Sequence, residues 1–233
     1  MNSHNLKQEL KRLANPKRAD NSLRFFKTAK GEYGEGDIFL GITTPVLKKI
    51  VRKYQTLSLS ELPELLESPI HEHRSAALGI LVLQFGKADE RQKEKLVAFY
   101  LKNTVYINNW DLVDISAAKI LGEFLLDKDK KVLFKLAGSD NLWERRIAII
   151  ATYAFIKRDR FKETLEIAKV LLHDKHDLVH KAVGWMLREV GKKDQAQEEE
   201  FLKKHYRRMP RTMLRYAIEK FAEEKRKLYL RRE

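Results

Sequence analysis

The sequence predicts an all-α fold, a stack of helical hairpins forming a curved right-handed α-solenoid with a concave basic groove. Three observations carry that expectation. Apolar residues recur at the helical period, and no segment shows the sustained alternation of a strand. Proline, glycine, serine and asparagine punctuate the chain between short periodic segments. Small residues recur in the middle of successive second helices, at Ala77, Ala118, Ala148, Ala182 and Ala217, in steps of 41, 30, 34 and 35 residues.

A hairpin of this size buries its apolar face by stacking on its neighbours, so such a period reads as a helical array, with a bundle as the alternative. The irregular steps make the array HEAT-like rather than a strict consensus repeat. Residues 1–233 are expected to form one such domain, with about 225–233 a charged C-terminal helix end.

Along the chain, Gly31 to Asp37 reads as a connector, because it lacks both the preceding strand and the spacing of a phosphate-binding loop. Thr44-Pro45, Ser68-Pro69 and Met209-Pro210 place proline near helix starts, where its missing N–H is harmless. Arg91 to Leu101 is a charged first helix. On a helical wheel from Asn109 to Leu125, Val113, Ala117, Ile120, Leu121 and Phe124 form one apolar sector. Ser139-Asp140-Asn141 with Glu144 predicts a capping box opening a helix through Phe155, and Gly191 is expected to close the helix that begins near Asp177.

With 47 Lys and Arg against 33 Asp and Glu, the chain carries a formal charge of +14 and a sequence pI of about 9.7. That excess favours a polyanionic partner, nucleic acid before a membrane surface. Cysteine is absent, which excludes disulfides and cysteine zinc sites. The polar, charged N-terminus does not read as a secretory signal, and no run of about 18 apolar residues occurs. A soluble, cytoplasmic, nucleoid-associated monomer is expected.

One residue stands out chemically. Asp114 falls on the wheel between the directions of Leu121 and Leu125, where a charged carboxylate loses hydration unless something compensates it. Trp110 lies one turn before it, close enough to share a site. Trp143 and Trp185 fall on later second helices, and Trp185 sits on the shoulder of its apolar sector beside Lys181 and Arg188, an arrangement suited to a sugar or a phosphate-bearing strand. Arg146 lies at the edge of an apolar sector while Arg145 points away. Arg145-Arg146, Lys181 with Arg188, and Arg207, Arg208, Arg211 and Arg215 are spaced as a track for successive phosphates. His173, His176 and His180 invite a metal, but the H-E-x-x-H pattern is missing, and capping or phosphate contacts fit better. His71-Glu72-His73 is a weaker metal candidate still.

These residues occur in longer motifs: Asn15-Pro16, Phe39-Leu40-Gly41-Ile42, Asn108-Asn109-Trp110-Asp111-Leu112-Val113-Asp114, Ser139 through Arg146, and Lys181 through Glu189. By them the chain, over nearly its whole length, resembles the HEAT-like-repeat DNA alkylation repair glycosylases of the AlkD type. The resemblance implies removal of positively charged N3- and N7-alkylated purines, such as 3-methyladenine and 7-methylguanine, from duplex DNA. That reaction leaves an abasic site and needs neither metal nor organic cofactor. It also implies Asp114 as the catalytic aspartate, Trp110 and Trp185 as the site tryptophans, and Arg146 as the arginine on the backbone phosphate. Trp143, Arg145, Lys181, Arg188, Arg211 and the N-terminal aromatic Phe25 are expected on the DNA-binding face. The alternatives are a non-catalytic HEAT-like protein that binds damaged or branched DNA by shape, and a protein-interaction scaffold, which the positive charge disfavours.

Overall fold

The structure, a computed structural model, describes residues 1–231. Among the described residues the regular elements are helices, no strand is present, and a single parallel bridge joins Ile38 to Ile70. The chain divides into two compact units, Met1–Ser116 and Ala117–Glu233. No helix among the described residues is long and apolar enough to cross a membrane.

The first unit contains α1 (Ser3–Arg12), α2 (Pro16–Phe25), α3 (Thr44–Lys53), α4 (Leu62–Leu66), α5 (His71–Phe85), α6 (Glu90–Lys102) and the start of α7 (Trp110–Ala117). Local chemistry sets their starts. The Asn15 side chain accepts from the Arg18 N–H while Pro16 occupies the first helical position, and Asp89 and Gln92 form a reciprocal capping box on α6. Leu6 and Leu10 of α1, Leu62 and Leu65 of α4, and Ile80 and Leu81 of α5 are fully or almost fully buried and form the core. Gly41 has a φ of +74°, and any Cβ there would stand 2.3 Å from the Asn15 carbonyl oxygen, so the loop before α3 can lie against the start of α2 only with glycine at this position.

The second unit contains α8 (Lys131–Ala137), α9 (Leu142–Ala151), α10 (Tyr153–Ile156), α11 (Lys162–Val170), α12 (Asp177–Lys193), α13 (Gln195–His205), α14 (Arg211–Ala217) and α15 (Glu223–Leu230). Helix α12 is its centre, packing on α9, α13 and α14 through Val179, Val183, Met186 and Val190, all fully buried. The five alanines that set the repeat are all buried, as small residues at helix crossings should be. The charged C-terminal helix is α15, and the end of the expected 225–233 segment, Arg232 and Glu233, lies outside the described residues.

Three expected elements differ. The helix from Asn109 is not regular to Leu125: α7 ends at Ala117 and a wider π turn follows over Ala118–Gly122. Such a turn carries an extra residue, so wheel directions do not carry across it; Val113, Ala117, Ile120 and Leu121 of the expected sector are buried, while Phe124 beyond the turn is only half-buried. The helix from Leu142 breaks at Thr152, whose hydroxyl turns back to the Ile149 carbonyl at 2.7 Å. Its cap is Asn141, which accepts from the Trp143 N–H, while Glu144 receives the Ser139 hydroxyl. Gly191 does not end α12, which runs on to Lys193. The glycine instead makes room for the Glu198 carboxyl, which would stand 1.7 Å from any Cβ.

In Gly122→Ala, the new Cβ would meet the Ala151 carbonyl oxygen at 2.2 Å. Alanine is worth up to about 1 kcal/mol over glycine in a helix, but overpacking costs roughly 1–3 kcal/mol. The clash is with backbone, so net destabilisation is expected in urea unfolding. Gly138→Ala, whose nearest neighbour would lie at 3.7 Å and whose φ is −91°, should be neutral or slightly stabilising.

Candidate functional site

Residues of the candidate site lie in both units. In the first, α7 opens on Asn109, which is fully buried. Its Oδ1 accepts the Trp110 N–H at 2.8 Å and its Nδ2 donates to Asp37 Oδ2 at 3.3 Å. On the other side of Trp110, Asp111 Oδ2 receives His71 Nε2–H at 2.8 Å. His71 Nδ1 lies 3.4 Å from Asp37 Oδ2, and Asp37 Oδ1 accepts from Arg74 Nη2 at 2.6 Å. Two carboxylates thus meet an imidazolium and a guanidinium, and the cluster is neutral. Each charge has a partner, the condition under which burial is tolerated.

Burial and pairing together set the protonation states of this cluster. Burial alone would push the His71 pKa down, but its bonds to Asp111 and Asp37 outweigh that and raise it to about 9. Burial works against the Asp37 carboxylate too, and the His71 bond and Arg74 charge still hold its pKa below the ordinary range. His73, two residues further along, is desolvated, the Lys7 and Arg74 charges add to the fall, and its pKa drops to about 4, hence neutral. Glu72 receives the backbone N–H groups of Leu40, Gly41 and Ile42 at 2.9, 2.8 and 3.2 Å. The first turn of α5 therefore fixes the 37–42 loop and the start of α7 together.

An aromatic stack lies against this cluster. Trp110 and Phe26 rings are 5.4 Å apart at 23°, Phe26 and Phe39 5.0 Å at 15°, and Phe39 and His71 4.7 Å at 25°. Phe25 meets Trp110 edge-on at 5.7 Å and is 64% exposed. Trp110 and, one turn later, Asp114 are both half-buried. The unit therefore offers an aromatic wall followed by a carboxylate, a combination that favours a cation. Sequence reasoning missed Phe26, Asp37 and Arg74, and it read His71 only as a weak metal candidate, whereas its ring bonds Asp111 and Asp37. The available signal was the polar run His71 to Arg74 opening an otherwise apolar helix.

In the second unit Trp185 is half-buried, as its place on the shoulder of the wheel predicts. Its Nε1–H donates to Glu189 Oε1 at 3.1 Å, and its ring lies 6.4 Å from that of Tyr153. Arg146 is only 4% exposed and donates through Nη1 to the Leu178 carbonyl at 2.6 Å, which ties α9 to the start of α12. Arg145 binds Asp174 Oδ2 at 2.6 Å and the Ser139 and Asp140 carbonyls, and Trp143 is 8% exposed, so both serve the packing around the start of α9. Lys181 pairs with Asp177 at 2.7 Å, Arg188 with Glu219 and Glu189, and Arg211 reaches the Leu230 carbonyl. His176 caps α12 through Nδ1 and His180 lies on the Asp174 carbonyl, so these two rings are engaged in helix and loop contacts.

The chain matches the profile of a protein family described as DNA alkylation repair enzyme over residues 6–221. Its fold is that of a solved structure of a predicted DNA alkylation repair enzyme from Enterococcus faecalis. The two are 17% identical with a TM-score of 0.71, and the match covers 90% of this chain and 97% of the other. No curated protein matches the chain.

The raised His71 pKa predicts a stability contribution that is fully present below about pH 6.5 and lost as pH rises through about 9. In urea unfolding, the wild type should weaken across that window more than His71→Gln. Parallel curves would show that His71 is not held as the imidazolium.

Proposed function

Because the chain belongs to the DNA alkylation repair enzyme family, we propose that it is a DNA glycosylase. Its substrates would be positively charged N3- and N7-alkylated purines in duplex DNA, and residues 1–233 would act as one repeat domain. The observation that carries this reading is the half-buried Asp114, one turn after a Trp110 already walled by Phe25 and Phe26.

An alkylated purine leaves with the C1′–N bonding electrons, which neutralise its ring, so it needs no general acid. One carboxylate can then serve where glycoside hydrolysis ordinarily uses two. Asp114 meets the oxocarbenium character that develops at C1′ and positions the water that attacks there, the water's proton passing to the carboxylate or to solvent. The ring faces of Trp110 and Trp185 favour the cationic sugar. Arg146, fixed by its bond to the Leu178 carbonyl, is assigned to a backbone phosphate, and Lys181, Arg188 and Arg211 would exchange their present partners for phosphates along the duplex, a contribution that weakens with salt. Of the other expected contacts, Phe25 is the most exposed and suits a groove edge, whereas Arg145 and Trp143 would act by holding the start of α9.

Single-turnover release of 7-methylguanine and 3-methyladenine from duplex DNA tests the proposal. The wild type should release both, and Asp114→Asn should slow release by about a hundredfold or more, the scale on which a lost charge-stabilising group acts. Salt-dependent DNA binding should survive the substitution. Release no faster than the spontaneous rate in the wild type would leave a non-catalytic binder of damaged or branched DNA.

A further inference from the structure

Trp185 is tied through its ring nitrogen to a patch of charge on its own helix. One turn later on α12, Glu189 Oε1 accepts the indole N–H at 3.1 Å. The same oxygen receives Lys192 Nζ at 2.7 Å and lies 3.5 Å from Arg188 Nη2. Arg188 has a second acid in Glu219, on the segment after α14. The Glu189 side chain is only 12% exposed, so its carboxylate acts where water screens charge less than at an open surface.

A tryptophan face attracts a cation through the negative charge of its ring. Two effects of Glu189 bear on that face. Its carboxylate takes a charge-assisted hydrogen bond from the positive edge of the indole, which limits how the ring can turn. It also cancels cationic charge that would otherwise stand beside the ring and repel a positively charged ligand.

We propose that Glu189 is a positioning residue for Trp185, holding the indole by its N–H and shielding it from Lys192 and Arg188, so that the ring offers an unopposed face to the cationic sugar of base excision. The inference rests on the base-excision reading and adds a second carboxylate to it. This one acts through Trp185 and does not touch the sugar.

Single-turnover release of 7-methylguanine from duplex DNA would be measured for the full chain and its variants, with binding to undamaged duplex at the same salt. Glu189→Gln keeps an acceptor for the indole N–H and removes the charge. It should slow release at saturating enzyme by about tenfold, the scale of a cation–aromatic contact in a dehydrated site. Binding to undamaged duplex should hold or tighten, because the variant has lost a negative charge. Adding Lys192→Met, which removes the cation left without its acid, should restore most of the lost rate. Loss of a purely structural support would show no such recovery. Release by Glu189→Gln at the wild-type rate, or no recovery in a double variant with wild-type circular dichroism, would overturn the proposal and leave the excision reading standing. A wild type that releases no base above the spontaneous rate would overturn both.

Discussion

The start of α7 depends on a buried, neutral knot of charge. Asp37, His71, Arg74 and Asp111 come from three separate segments, and each would be costly to bury alone. Together they hold the 37–42 loop, the first turn of α5 and the first turn of α7 in one arrangement. Removing one member would strand its partner in a poorly solvated place, at a cost of about 3–5 kcal/mol. Trp110 sits between two anchored residues, Asn109 and Asp111, so its backbone has little freedom. Its ring lies on Phe26, and Asp114 follows one turn later. The carboxylate assigned to chemistry is thus carried on a helix whose first turn is fixed by other carboxylates.

The second unit solves a related problem with arginines. Adjacent on α9, Arg145 and Arg146 reach Asp174 and the Leu178 carbonyl, and so bind α9 to the loop and helix that follow. Around Trp185, Glu189 accepts from the indole N–H, Arg188 and Lys192, which fixes the ring plane and balances nearby positive charge. A cation on the wheel is therefore a poor guide to what is available for a phosphate. Lys181 and Arg188 look like a bare basic flank in sequence, yet each has an acid beside it in the fold.

The legible parts of the fold were those set by local chemistry. Helix starts followed from prolines and from Asn141, and the buried alanines followed from their spacing. Gly191 misled because its reason is the Glu198 side chain of another helix, invisible to a local pattern. The π turn at Ala118–Gly122 limited the wheel for the same reason: one extra residue leaves no mark in composition. For the candidate site, Trp110, Asp114 and Trp185 stood out because each departs from a clean apolar stripe, and all three are half-buried. Phe26 and Asp37 did not, and His71 was noticed only as a weak metal candidate, because their roles exist only where distant segments meet.

Central to the proposed function is the meeting of the Asp114 carboxylate with positive charge on the sugar. Its most direct measurement is the affinity of the protein for duplex DNA carrying a cationic azasugar at one position, against the same duplex with a neutral tetrahydrofuran there. The wild type should prefer the cationic sugar by about tenfold or more, as transition-state mimicry requires. Asp114→Asn should bind the two about equally. An undiminished preference in Asp114→Asn would contradict the account.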